Sequence, residues 1–267
     1  MKLSISNLAW ETTDEKAVLR LLADKEVVGI EIAPSKVWPN WQGITPHHVR
    51  RYRDDLLTQG FQISALQAIL FGYPNYRLFG SSQERRDTMN HLRFVSDLAE
   101  DLGAKVMVLG APRNRDRGHF SEEEAFNLAT EFFQEIGEYC AHKNTCLCIE
   151  PNPPVYQCNF ITTSTEGYAL VQAVNSEGFG LHLDAAGMYL AEEEIAVTLP
   201  QCATVLQHFH ISEPNLSGFS APVVDHQQIG TLLKEQAYQN WVSIEMRSQT
   251  ETINAIETAI NLSLSCY

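Results

Sequence analysis

The sequence predicts a single α/β domain, a (β/α)8 TIM barrel spanning residues 1–267. Three observations predict it. Short apolar runs alternate with longer amphipathic segments from end to end. A length of 267 residues suits one barrel better than two ordinary domains. The last four apolar runs end in Glu150, Asp184, His210 and Glu245, side chains that bind divalent metals, at intervals of 34, 26 and 35 residues, each about one strand-plus-helix unit.

The expected strands are residues 3–8, 27–32, 62–68, 105–109, 145–149, 179–183, 205–210 and 241–245. The helices between them carry start signals, because a side-chain oxygen before the first turn accepts one of its unpaired N–H groups and proline there loses no bond. Asp14 precedes 15–22, Thr45-Pro46 precedes 47–58, Ser82 precedes 83–102, and Ser121 with Glu122 to Glu124 precedes 125–142. Gly60 and Gly103 fall where C-caps belong. Further helices are read at 164–174, at 192–199 (a short one), at 227–238 and at 249–262. The loops at 34–45, 71–81 and 151–164 are long and rich in Pro, Gly, Asn and aromatics. They follow strand ends, where barrels build their active sites, and are expected to form walls and lids. No low-complexity tract or linker divides the chain.

Nineteen Lys and Arg against 33 Asp and Glu leave a formal charge of −14. Such a surface repels phosphate backbones and anionic lipid, so neither nucleic acid nor membrane is an expected partner. The first residues lack a signal-peptide core and no window approaches the roughly 20 apolar residues of a membrane span, so a cytoplasmic location is expected. Six cysteines in such a chain predict no disulfide framework. Cys146 and Cys148, two apart on one strand, read as small buried hydrophobes rather than a zinc or redox pair.

Any one of the four strand tips has a structural alternative; Asp184, for instance, suits the cap of the next helix. Together they mean more. Three carboxylates crowded on one rim raise each other's pKa unless a cation sits among them. Three carboxylates and one imidazole suit a single Mn2+ foremost, with Mg2+, Co2+, Fe2+ or Zn2+ also compatible, and leave positions open for substrate oxygens. By strand position, Trp10, Glu31, Gln67 and Arg247 are candidate pocket residues, Trp10 serving equally as a packing residue, and Glu213 is placed to orient a ligand or contact the substrate. Glu31 is expected in a buried network with an Arg or Lys, and His182 and His208 as hydrogen-bonded residues behind the metal ligands. His47-His48 and the run Arg113 to Arg117 read as solvated faces, with Arg113 near enough to the fourth strand's tip to reach an anionic substrate.

The segments Cys148-Ile149-Glu150-Pro151-Asn152, Leu183-Asp184, His208-Phe209-His210-Ile211-Ser212-Glu213 and Ser243-Ile244-Glu245 resemble the metal signature of the xylose-isomerase-like barrel superfamily. Ser6 to Trp10 and Gly29 to Ala33 are similar to its first two strands, so the likeness covers nearly the whole chain. Within it, the ketose 3-epimerases and the small sugar-phosphate isomerase/epimerase group look nearest. The resemblance implies a metal-dependent isomerase or epimerase of a ketose or sugar derivative. There the ion polarises a chelated carbonyl, and Glu150 and Glu245 take and return a proton on opposite faces through an enediolate. Retention of both glutamates argues against a merely metal-dependent sugar-binding protein.

The substrate shell departs from the 3-epimerase pattern. Gly187 stands where a His follows the metal Asp, Tyr156 where a Glu follows the first metal Glu, and Leu216 where an Arg follows the metal His. An acyl, amino, deoxy or phosphorylated sugar, or a keto-cyclitol, therefore competes with a free hexulose as substrate. A dehydratase of a keto-inositol or related sugar acid shares the first proton abstraction and is the main alternative. An abasic-site endonuclease is remote, because Ala68 to Phe71 and Leu109 to Pro112 lack the additional ligands of its zinc cluster and the charge opposes DNA. Related barrels often pair, and the apolar loop Phe71-Gly72-Tyr73-Pro74 is placed to seal a neighbour's pocket in a homodimer or higher oligomer.

Overall fold

Eight parallel strands close on themselves in sequence order in the computed structural model, which describes residues 1–267. They are β1 (Lys2–Ser6), β2 (Gly29–Ile32), β3 (Gln62–Leu66), β4 (Val106–Leu109), β5 (Cys146–Ile149), β6 (Phe179–Asp184), β7 (Leu206–Ser212) and β8 (Trp241–Glu245). Each expected run supplies one strand. The helices are α1 (Glu15–Asp24), α2 (Pro34–Val37), α3 (Pro46–Thr58), α4 (Ser82–Leu102), α5 (Glu122–His142), α6 (Ser164–Val174), α7 (Ala185–Leu190), α8 (Ile195–Cys202), α9 (His226–Glu235) and α10 (Thr252–Cys266).

Helix starts follow the capping chemistry with two shifts. Ser121 and Glu124 form a reciprocal capping box on α5, as do Ser81 and Glu84 on α4, so the α4 cap is Ser81 rather than Ser82. Thr45 caps α3, whereas the Asp14 side chain makes no cap bond to α1. Gly103 ends α4 at φ 75°, a left-handed backbone that glycine adopts without steric cost. The expected helix at 192–199 is α8, shifted to Ile195–Cys202, and a further short helix, α7, precedes it because Asp184 starts a helix immediately after β6.

Alternation along the strands divides their side chains between two environments. Outward, Ile5, Ile32, Leu66, Met107, Ile149, Leu183, Phe209 and Ile244 join a core cluster shared with the helices, in which Phe133 of α5 stacks on Phe179 at 4.6 Å. Inward, the barrel is unequal. Ala65, Val106, Val108 and Cys148 fill one side with a small apolar cluster, Cys146 packing against it with its Sγ 3.7 Å from that of Cys148. Ser4, Ser6, Glu31, His182, His208, His210 and Ser243 are buried polar residues of β1, β2, β6, β7 and β8. The β6–β7 register sets His182 beside His208 and Asp184 beside His210, and the β7–β8 register sets Ser212 beside Glu245. No helix is long and apolar enough to cross a membrane.

Candidate metal and substrate site

The four tips meet at the C-terminal rim. Donor atoms of Glu150, Asp184 and His210 lie within 4.8 Å of one another. Glu245 Oε2 stands 3.3 Å from His210 Nδ1, and Asp184 Oδ2 stands 3.9 Å from it. Asp184 also caps α7, its Oδ1 accepting from Gly187 N at 2.6 Å while Oδ2 accepts from Ser212 Oγ. The capping role and membership of the cluster coexist in one carboxylate.

Burial, then repulsion from Asp184 and Glu245, pushes the Glu150 carboxyl up to about 8. Burial and Glu245 push Asp184 up to about 6. In the other direction, burial opposes protonation of His210, yet Glu31 and Glu245 prevail and hold its pKa well above the ordinary imidazole value. Acidic groups are thus crowded around a buried nitrogen, His210 Nδ1, that has no hydrogen-bond partner. That donor set, three hard oxygens' side chains and one imidazole, fits a divalent cation.

The rim opens into a cavity of about 650 Å³, within the range of small-molecule sites. Gln67, Glu213 and Arg247 line it with Glu150, Asp184, His210 and Glu245. Trp10 does not: it is 4 % exposed and packed in the core, so the packing alternative describes it. Glu213 gives its carboxylate to the protein, Oε1 accepting from His226 Nε2 at 2.9 Å and Oε2 from Val223 N at 3.0 Å. It therefore holds the loop before α9 rather than presenting a free group to a ligand. Gln67 Nε2 donates to Ser6 Oγ at 2.7 Å, and the guanidinium of Arg247 is exposed and unpaired.

Several contributions had no signal in local sequence. Arg115, expected on a solvated face, is 2 % exposed and donates from Nη2 to the backbone oxygen of Glu150 at 2.6 Å and to Asn152 Oδ1 at 2.7 Å. It thereby fixes the tip of β5. Glu31, expected beside an Arg or Lys, bonds His208 and His210 instead. Its partners come from β7, which closure of the barrel through β8 and β1 brings to the interior beside β2, so sequence distance carries no information. His208 donates to Glu31, but His182, expected to be hydrogen-bonded, has both ring nitrogens buried without a partner; its ring stands edge-on to His210 with centroids 4.1 Å apart.

Of the three expected wall loops, 71–81 reaches the cavity through Phe71 and 151–164 through Asn152, Val155, Tyr156 and Gln157. The 34–45 loop lies behind, its Trp41 Nε1 donating to Phe71 O at 3.0 Å. Further wall comes from Ala68 to Leu70 after β3, from Gly110 to Asn114 after β4 and from Asn215 and Leu216 after β7. Two of the three departures from the epimerase pattern, Tyr156 and Leu216, are therefore cavity residues.

A model of the xylose isomerase-like TIM barrel family matches residues 19–266, and the chain belongs to that family. It is 26 % identical over 156 residues to the L-ribulose 3-epimerase of Methylomonas sp. strain DH-1, covering 58 % of this chain and 54 % of that protein. The chain spans about half the length of the curated relatives it matches, which are 3-epimerases and thus isomerase-type enzymes. The crystal structure of D-psicose 3-epimerase from Clostridium cellulolyticum H10 with D-tagatose superposes with a TM-score of 0.83 at 15 % identity, over 100 % of this chain and 99 % of that one. The IOLI protein with a bound zinc atom superposes at 0.78 and 18 % identity, over 100 % and 99 %.

Proposed function

We propose that this chain is a divalent-metal-dependent epimerase or isomerase of a ketose or ketose derivative, acting as a single barrel domain with Mn2+ as the preferred ion. The observation that carries the reading is the convergence of Glu150, Asp184, His210 and Glu245 at the mouth of a cavity of sugar-accommodating size. Membership of the family and the 3-epimerase relatives support it.

Those four residues would hold the ion, which when bound supplies Lewis acidity to a substrate carbonyl. Glu150 and Glu245 leave β5 and β8, with β6 and β7 between them on the rim, so their carboxylates flank a bound sugar. One, ionised, would remove and keep the proton next to the carbonyl, and the other, protonated beforehand, would give its own proton from the opposite side, which inverts that carbon. Substrate configuration decides which acts first. Arg115, holding the backbone at Glu150, keeps that carboxylate aimed at the substrate. Tyr156, Leu216, Phe71 and Val155 give the cavity a less polar wall, and Arg113 and Arg247 place unpaired cations on its lining. That lining suits a sugar carrying an acyl or anionic substituent as well as a free ketose.

The test is incubation of the Mn2+-loaded protein with a ketose panel in deuterated water. Deuterium at the carbon next to the carbonyl, without loss of mass, is expected. A product lighter by one water would identify a dehydratase instead. Glu245→Gln should lower exchange by about 10²- to 10⁴-fold, the usual contribution of a positioned acid or base, while substrate binding stays measurable. Unchanged exchange in that variant would rule out the two-glutamate scheme.

A further inference from the structure

One fully buried carboxylate beneath the rim has no part in the proton transfer just described. Glu31 reaches from β2 across the barrel to β7 and β8. Its Oε1 accepts from His208 Nε2 at 3.1 Å and from His210 Nε2 at 3.1 Å. Its Oε2 accepts from His210 Nε2 at 3.0 Å and from Ser243 Oγ at 2.7 Å, with Gln67 Nε2 at 3.4 Å. Both oxygens are surrounded by donors, which is the condition for keeping a carboxylate charged where no water reaches it.

A carboxylate only accepts, so each imidazole must turn a protonated nitrogen toward it. For His210 that nitrogen is Nε2. The lone pair available to a cation then lies on Nδ1, the buried and unpartnered atom 3.3 Å from Glu245 Oε2 and 3.9 Å from Asp184 Oδ2. A His with its proton held on one nitrogen by a carboxylate has a fixed ring plane and a more basic second nitrogen. We infer that Glu31 is a positioning residue for the metal site: it locks the proton of His210 on Nε2, so that Nδ1 is the ligating atom and points at the other three ligands. The inference rests on the metal site of the proposed function, but not on any turnover there.

The experiment measures Mn2+ affinity on the full-length chain, reading free Mn2+ by electron paramagnetic resonance. Glu31→Gln is isosteric, removes the charge and mixes donor with acceptor. It should weaken Mn2+ binding by about 10- to 100-fold, the usual effect of losing a ligand's outer partner, whereas His208→Gln, which leaves the bond to His210 in place, should stay within about threefold of wild type. An unchanged affinity in Glu31→Gln overturns the inference, and so does an equal loss in His208→Gln, which would mark general damage to the barrel interior. Should Glu31→Gln fail to fold, nitrogen-15 spectra of the Zn2+-loaded wild type decide: a protonated Nε2 and a metal-bound Nδ1 on His210 are expected, and the reverse assignment refutes the role. Mn2+ binding without deuterium exchange would sink the proposed function alone; a wild type that binds no divalent ion would sink both.

Discussion

In the metal-free protein, the crowded rim should make stability fall as pH rises from 5 to 8, and Glu150→Gln should remove much of that fall. Glu150 has a folded pKa of about 8 against an ordinary 4.5, so between those values the folded chain binds a proton that the unfolded chain has lost. Raising the pH through that window therefore favours unfolding. At about 1.4 kcal/mol per pKa unit the whole window amounts to about 5 kcal/mol, and water reaching the carboxylate from the cavity brings the expected difference to about 3 kcal/mol. Asp184, raised to about 6, adds loss in the lower part of the same range, and His210, raised well above its ordinary value, adds loss from that ordinary value upward. Glu31 lies well below 4.5 and is silent here. His91, His182 and His226, lowered by burial, gain stability as pH rises through their ordinary values, but wild type and variant share that gain. Urea unfolding with a chelator present, followed by tryptophan fluorescence at four pH values, isolates the effect as a difference between the two proteins. Parallel curves would refute the account. Mn2+ added at pH 8 should raise the wild-type midpoint more than the variant's.

Two further outcomes follow from the same geometry. A methyl group on Gly110 would run into the Glu150 carboxylate, so Gly110→Ala should cut Mn2+ affinity and deuterium exchange at least tenfold, while the thermal midpoint moves by only a few degrees because the clash is with the end of one side chain. Wild-type affinity in that variant, measured by Mn2+ titration, would show that Glu150 is free to move away. Arg247→Gln should weaken binding of a phosphorylated ketose by about tenfold and leave a neutral ketose unaffected, read by calorimetry; equal effects on both would remove Arg247 from substituent recognition.

The barrel was legible because each parallel strand, buried on its outward face against helices, leaves a short apolar run, and successive strands start 27 to 44 residues apart, the length of one βα unit. The rim ligands were legible for the same reason, since Glu150, Asp184, His210 and Glu245 recur at that unit's spacing. What failed to show were relations created only by closure. Glu31 meets His208 and His210 across the barrel, at separations of 177 and 179 residues, and nothing near it in sequence announces a histidine partner. Arg115 stands in a run of charges that reads as solvent-facing, yet the Asn152 that receives it lies 37 residues away. Trp10 has the composition of a sugar platform and the environment of a core residue, and only burial separates the two. Asp184 was readable as a helix cap, but the short α7 that it starts is not marked by the apolar pattern of the segment.

The two faces of each strand answer to different kinds of selection. Outward, Ile5, Leu66, Phe209 and their neighbours need only be apolar and of suitable volume, so they exchange freely as long as the helices still seat. Inward, toward β6, β7 and β8, a change of one side chain alters a ligand or its support. A barrel built this way tolerates change on the outside while holding its shape, and a chain 15 % identical to a 3-epimerase of known structure superposes on it with a TM-score of 0.83.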